Sequence, residues 1–189
     1  IESAGITSSD YAPTVDVAKA EKTVFELLDI PILRDSDNSP GIYVAAKPAG
    51  PGAWAGAQIM SSLDGVTYGV VGSITSAATM GETTAALTDY AGAPAVIDAT
   101  GTVRVDIGAG TLSSSTEAAL LADPAVNAAV IGDELVQFVT ATLVSPGVYD
   151  LTGLLRGRRG TEHAMTGHAI GETFVLLQPT GMLRVSHDA

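Results

Sequence analysis

Short runs of β-branched and apolar residues, each closed by glycine, proline, aspartate or asparagine, most restrict the fold of this chain. About ten such runs follow one another, with turn residues roughly every eight to twelve positions. This spacing is typical of antiparallel sandwiches and barrels, because βαβ units need a helix between strands. The 21 glycines and 9 prolines among 189 residues supply the turns. The sequence therefore predicts a mainly β protein made of antiparallel β-sandwich or barrel units.

The composition favours a folded, acidic protein. Apolar residues make up 46% and charged residues 16%, far from the composition of disordered chains. The net charge of −12 would repel nucleic acids and anionic membranes, so we expect no nucleic-acid partner. The absence of cysteine excludes disulfides, thiolate metal sites and cysteine nucleophiles. The apolar runs are too short to span a bilayer, and we expect no membrane insertion by this segment.

The first 22 residues differ from the rest. Residues 1–22 mix small polar residues without a sustained period, which predicts a linker leading into a β-rich domain of residues 23–189. A division of that domain into two subdomains would fall near residue 112. The chain starts with Ile and lacks a signal-peptide pattern, so we expect a segment of a longer polypeptide.

The strand predictions follow the apolar runs. Alternation in one run predicts Val103, Val105 and Ile107 facing inward, and Asp64-Gly65 predicts a tight hairpin turn. The predicted strands are residues 23–33, 41–46, 57–62, 66–74, 80–87, 102–107, 128–131, 134–143, 148–155, 174–177 and 182–185.

One short helix is predicted near residues 115–122. Ser114 stands three residues before Glu117, as in a capping box, and alanines and leucines follow. Asp123-Pro124 then predicts the end of the helix.

The most unusual feature is a basic loop in an acidic chain. Arg156, Arg158 and Arg159 lie within four positions, and Glu162 and His163 follow shortly after. Guanidinium groups flanked by glycines would suit a subunit, partner or anion contact. The same arginines could instead hold a wide loop by pairing with carboxylates and backbone carbonyls. Both interpretations stay open at this point.

The remaining polar residues match no catalytic or metal motif. Glu162, His163 and His168 lack a known ligand spacing, and residues 35–38 resemble a turn more than a calcium loop. The chain contains no G-x-S-x-G nucleophile motif. We therefore expect no catalytic residues, no metal, no cofactor and no enzymatic activity.

A few aromatic residues suggest a second kind of site. Trp54, Tyr43 and Tyr68 could form a platform on which sugar rings stack. Alternatively, Trp54 covers one end of a barrel with its indole N–H bonded to a carbonyl.

Three stretches, residues 23–46, 51–68 and 131–177, together resemble a known family. The last is the most specific, with G-x-E-x-x-x-F followed by L-x-x-L-L-R-G-x-R-G-T-E-x-A in one register. Their order is similar to the large tail-tip hub proteins of siphophages and of phage-derived gene transfer agents. Members are often labelled host-specificity or phage tail proteins. The resemblance covers the central to C-terminal β-rich portion of such proteins.

The resemblance implies a virion structural protein of the tail tip or baseplate hub. Such a module would link the tail tube to the adsorption apparatus, as a homotrimer of sister copies beside other tail-tip proteins. It would be assembled in the bacterial cytoplasm and located in the particle tail. The alternative is a carbohydrate-binding module for host recognition that reads a cell-surface glycan. In the structural role, the loop that holds Arg156, Arg158, Arg159, Glu162 and His163 is a candidate subunit contact, and the three arginines are hypothesised to meet acidic partners.

Overall fold

A computed structural model describes residues 20–186 of the chain. Most of the predicted linker, residues 1–19, and residues 187–189 lie outside the described residues. The described part contains no helix with the length and hydrophobicity of a membrane span. The strands are β1 (Thr23–Leu28), β2 (Gly41–Pro48), β3 (Ala57–Ser61), β4 (Gly69–Ile74), β5 (Met80–Ala85), β6 (Asp98–Asp106), β7 (Ala128–Ile131), β8 (Glu134–Ser145), β9 (Val148–Leu155), β10 (Thr173–Leu176) and β11 (Met182–Ser186), with a helix α1 (Glu117–Ala122) and two 3₁₀ turns (Arg158–Gly160 and Glu162–Ala164).

Six strands close into an antiparallel barrel. Their order around the barrel is β10-β5-β6-β9-β8-β7, and each neighbouring pair is antiparallel. Closure leaves these strands without a free edge, so their backbone groups bond to a neighbour on both sides. The prediction of a mainly β, antiparallel protein with barrel units is confirmed.

The barrel interior is a continuous apolar core. Val103, Val105 and Ile107 are fully buried in it, as their alternation with exposed Arg104 predicts. Phe138 and the rest of the core fill the interior from the other strands. Hydrophobic burial of these side chains is the main force that holds the barrel closed.

The barrel strands β7 and β10 are buried on both faces. On β7, Ala129 and Ile131 point into the barrel, whereas Ala128 and Val130 point outward into a second apolar cluster. That second cluster also contains Tyr43 of β2. Strands covered on both sides carry continuous apolar runs, which explains why β7 shows no polar alternation.

Two further layers lie against the barrel. A three-stranded sheet in the order β1-β2-β11 packs one face on the barrel through the second cluster. The β3–β4 hairpin packs on its other face, against Val44 and Ala46. A hairpin does form at Asp64-Gly65, and Gly65 has a φ of 71°. The predicted tight turn is wrong, because the loop runs over residues 62–68 and β4 begins at Gly69 rather than at Val66.

The helix forms as predicted, but its cap differs. The N-cap is Thr116, whose hydroxyl accepts a hydrogen bond from the Ala119 N–H at 3.2 Å. The capping box at Ser114 is wrong, because the Ser114 hydroxyl accepts instead from the Ala141 N–H at 3.0 Å. Ala141 belongs to β8, so this bond joins the segment before the helix to the barrel wall.

Residue 112 lies inside the barrel unit. Leu112 is 6% exposed and belongs to the barrel core. Strands β5 and β6 precede it and β7 to β10 follow it, yet all six close one barrel. A division near residue 112 would therefore cut through a single structural unit.

Removing a large side chain from the barrel interior should unfold the protein readily. Phe174 is fully buried on β10, so Phe174→Ala should lower the free energy of unfolding by about 3–5 kcal/mol. The control Ile170→Ala, at a side chain that is 69% exposed, should change it by less than about 0.5 kcal/mol. Urea denaturation measures both, and similar losses for the two variants would contradict the assignment of the barrel core.

Candidate functional site

The basic loop lies at one end of the barrel, next to the first residue of β8 and the last residue of β9. Glu134 is the first residue of β8, and Arg156 directly follows β9. The last pair between β8 and β9 at this end joins Gln137 with Leu155. Glu134 and Arg156 therefore both lie just beyond the paired residues of these two strands, at the same end of the barrel. Both side chains are fully buried there.

Arg156 and Glu134 form a forked ion pair. The Arg156 Nε donates to both carboxylate oxygens of Glu134 at 2.9 and 3.0 Å, and Nη2 donates to Oε2 at 2.8 Å. The backbone N–H of Gly157 donates to Oε1 at 2.6 Å. Such charge-assisted, multidentate bonds are the strong class of protein hydrogen bond.

His168 bridges two glutamates. Its Nε2 lies 2.8 Å from Oε2 of Glu134, and its Nδ1 lies 2.6 Å from Oε2 of Glu172. Ionised carboxylates only accept hydrogen bonds, so both ring nitrogens must carry protons. The geometry therefore describes an imidazolium between two carboxylates, with a side chain only 3% exposed.

Asp98 extends the network on the other side of Arg156. Its Oδ2 lies 3.5 Å from Nη1 of Arg156, and its side chain is 3% exposed. Arg156 Nη1 also donates to the Thr88 carbonyl at 2.9 Å, and the guanidinium carbon lies 5.8 Å from the centroid of the Tyr90 ring. We call Asp98, Glu134, Arg156, His168 and Glu172 the ionic cluster.

The charges of the ionic cluster alternate, and they shift the pKa values of Glu134 and His168. Burial raises the pKa of Glu134, but hydrogen bonds from His168 and Arg156 outweigh it and hold that pKa below the ordinary value of 4.5. The hydrogen bond to Glu134 raises the pKa of His168 above 6.5, against the effect of burial. Both shifts favour the charged, paired forms.

The other two arginines of the loop also bond within the chain. Arg158 donates to the Gln137 side-chain oxygen at 2.9 Å and to the Pro94 carbonyl at 3.3 Å. Arg159 donates to the carbonyls of Ile32 and Leu33 at 2.7 and 3.1 Å. The loop is thus joined to the barrel wall and to the segment that follows β1.

Gln137 connects the loop to the helix. Its side-chain N–H₂ lies within 2.8 to 3.4 Å of the carbonyls of Leu120, Asp123 and Val126, while its oxygen accepts from Arg158. A fully buried glutamine therefore has both ends of its amide bonded. This arrangement places the end of α1 against the barrel.

These contacts distinguish the two interpretations of the basic loop. Holding a loop through carboxylates and carbonyls is what all three guanidinium groups do here. A partner contact through Arg156 does not fit, because its side chain is fully buried. Glu162 and His163 lie outside the ionic cluster, on a 3₁₀ turn, with exposed side chains. A contact role stays a prediction only for the outer part of the loop.

The structure does not bring the glycan-platform residues together. Tyr43 is 2% exposed, and its hydroxyl donates to Asp37 at 2.6 Å. Trp54 packs on the opposite face of β2, and its indole N–H donates to the Thr23 hydroxyl at 2.9 Å. Tyr68 is exposed on the β3–β4 hairpin. The three side chains therefore do not share one surface, since neighbouring strand positions point Tyr43 away from the layer that holds Trp54.

The histidines and carboxylates of residues 20–186 form no group arranged as a metal centre. In the Asp-rich turn, Asp37 instead accepts from Tyr43 and pairs with Arg34 at 3.4 Å. His168 is engaged by Glu134 and Glu172 as described above.

Sequence reasoning missed three members of the ionic cluster, Asp98, Glu134 and Glu172. One signal could have found Glu134, since it opens an apolar strand that follows a Gly-Asp turn. A charged residue at the head of a run that is otherwise buried needs a partner of opposite charge. The closest cationic loop in the predicted meander is the one that holds Arg156.

The family model described as Rcc01698-like, C-terminal, matches residues 78–175, slightly more than half of the chain. The chain belongs to this family. The matched region of the Rcc01698-like C-terminal family runs from just before β5 almost to the end of β10, so it includes nearly the whole barrel and all of the ionic cluster. No curated protein matches the chain.

Loss of the Arg156 guanidinium should destabilise the barrel strongly. Arg156→Ala leaves the buried Glu134 carboxylate without its main partner, which should lower the free energy of unfolding by about 3–5 kcal/mol. The control is Arg104→Ala, which breaks the surface pair of Arg104 with Asp150 and should cost far less. Chemical denaturation of both variants provides the comparison, and equal losses would show that burial of the pair is irrelevant.

The His168 bridge predicts a loss of stability on the alkaline side. Because the folded pKa of His168 lies above 6.5, its contribution is complete below pH 6.5 and is lost as the pH rises through the folded pKa. His168→Gln should lower stability near pH 6 and flatten this dependence. The control His163→Gln, at an exposed side chain, should keep the original profile. Thermal unfolding between about pH 5.5 and pH 9 measures the pH dependence of stability in both variants. An unchanged slope in His168→Gln would refute the bridge.

Proposed function

We propose that this chain is a non-enzymatic structural module of a phage-like tail tip. In this role, sister copies assemble as a homotrimer around the tail axis and link the tail tube to the adsorption apparatus. The proposal starts from the three stretches, residues 23–46, 51–68 and 131–177, that resemble tail-tip hub proteins.

The observation that carries the proposal is the closed state of the ionic cluster. Glu134 and Arg156 are fully buried and His168 is 3% exposed. Their donors and acceptors bond to one another and to the backbone, so a substrate would have to break the network to reach them. Charged groups arranged in this way stabilise a shape, as an architectural part requires.

The most specific of the three stretches, residues 131–177, supplies most of the ionic cluster. Residues 131–177 contain Glu134, Arg156, His168 and Glu172, four of the five members of the ionic cluster. The G-x-E and L-L-R-G elements thus meet at one end of the barrel, although 22 positions separate Glu134 from Arg156. This supports an interpretation of the motif as the means of closing the barrel end.

Localisation in particles tests the proposal. We expect an antibody against the chain to label the tail tip of purified phage-like particles in electron micrographs. A deletion of the gene should yield particles without functional tail tips. Arg156→Ala should reproduce the loss of assembly, and Arg104→Ala should assemble normally. A protein that never enters particles, together with normal tails in the deletion strain, would contradict the proposal.

The carbohydrate-binding and lytic alternatives are outcomes of two further assays. Specific glycan-array binding that Trp54→Ala abolishes, with the melting temperature retained, would favour a receptor-reading module. Cell-wall lysis in a zymogram that depends on Glu162 or His163 would favour an enzyme. We expect no glycan binding through these residues, because Trp54 and Tyr43 lie on opposite faces of one sheet. We expect no lysis, because Glu162 and His163 belong to no recognised catalytic motif.

A further inference from the structure

Large apolar side chains at the surface are concentrated on β1 and on the β3–β4 hairpin. Phe25 and Leu27 on β1 are 57% and 59% exposed, and Met60 on β3 is 50% exposed. At the turn of the hairpin, Leu63 is 92% exposed and Val66 is 82% exposed. Concentrated apolar exposure of this kind marks an interaction surface.

One part of this surface is concave. A groove of about 610 Å³ runs between β1 and β3, with Phe25 and Leu27 on one side, Met60 on the other and Val44 also in its lining. None of the residues that line it within the described part of the chain is charged. We call it the β1–β3 groove.

The groove exists because the hairpin covers only part of the sheet. Phe25 pairs with Ala46 and Leu27 pairs with Val44, so all four side chains lie on the same face. The hairpin buries Val44 and Ala46 but leaves Phe25 and Leu27 exposed. Within residues 20–186, β1 pairs with β2 alone, so its outer edge also offers free backbone groups.

The other part of this surface is convex and held in shape. Residues 62–68 form the hairpin tip, which carries Leu63 and Val66. The Asp64 carboxylate accepts from the Ser62 hydroxyl at 2.8 Å and from the N–H groups of Val66 and Thr67 at 2.8 and 2.7 Å. Because these bonds fix the turn before any contact, the hairpin tip would lose little conformational entropy on binding.

We propose that the β1–β3 groove of one copy receives the hairpin tip of a second copy of this chain. The inference rests on the proposed function for the association of sister copies and names the surfaces that would meet. A chain cannot fill its own groove, since the hairpin tip belongs to the hairpin that forms one wall.

The charge distribution permits contact between sister copies at this surface and disfavours it over most of the rest. Each chain carries a net charge of −12, so most surfaces of two copies repel each other. Residues 48–81 carry a single charged group, Asp64, and that carboxylate is already hydrogen-bonded within the hairpin tip. Two copies therefore meet here without opposing carboxylates. An anionic membrane would find no lysine or arginine in this stretch.

The contact is head-to-tail. A two-fold pairing of two β1 strands centred on Glu26 would set two Glu26 side chains opposite each other, which is unfavourable. The insertion of the hairpin tip into the groove uses two different surfaces, as in a ring such as the proposed homotrimer, which requires a rotation of one third of a turn between copies.

Cysteine cross-linking tests the contact directly, because the chain has no native cysteine. Leu27→Cys places a thiol in the groove, and Val66→Cys places one on the hairpin tip. Mixed and oxidised, with one variant carrying a size tag, the two single variants should give a disulfide-linked heterodimer. Each variant alone should give little dimer. Leu143→Cys, at an equally exposed apolar position on β8, is the matched control and should not cross-link with either variant.

Two results would overturn the contact. One is the absence of the mixed product at protein concentrations up to about 1 mM, where even weak association is populated. The other is cross-linking mainly within one variant, which indicates a two-fold interface.

In light scattering, Val66→Asp should weaken self-association at least about tenfold, whereas Leu143→Asp should not. If the mixed product forms but the chain is absent from particles, the proposed function fails and the contact stands. If the chain is in particles without cross-linking, only the contact fails.

Discussion

A buried carboxylate is stable only when cations and hydrogen-bond donors surround it, and Glu134 meets that demand at the end of the barrel. Arg156, the Gly157 N–H and His168 supply the donors, and Asp98 and Glu172 balance the added positive charge. The partners come from the starts of β6 and β8, the end of β9 and the loop before β10. The ionic cluster therefore joins the loop to three strands of the barrel.

The rest of the molecule is organised around the closed barrel. Strands β7 and β10 are buried on both faces because the three-stranded sheet packs against their outer side. The β3–β4 hairpin then covers part of the opposite face of that sheet. Each layer buries part of the apolar face of the one before it. Among residues 20–186, Phe25 and Leu27 of β1 stay exposed on the last of these faces. This exposed apolar face is the surface that we propose for contact with a sister copy.

Periodicity and turn residues predicted most of the fold, since both act locally. The inward face of β6 and the Asp64-Gly65 hairpin follow directly from such signals. The Thr116 cap and the pairing of Arg156 with Glu134 depend on which strands become neighbours, and sequence spacing does not contain that information. The separation of Tyr43 from Trp54 was missed for the same reason, because the sequence does not show which face of the sheet each side chain occupies.

Native-state hydrogen exchange at the Gly157 amide tests the central claim most directly. This N–H donates to the buried Glu134 carboxylate, in a loop that would otherwise exchange rapidly. If the ionic cluster holds the barrel end closed, Gly157 should exchange only on global unfolding, as slowly as the Phe138 amide in the barrel wall. Exchange of Gly157 at the rate of an exposed loop amide, while Phe138 stays protected, would show that the cluster does not hold the barrel together.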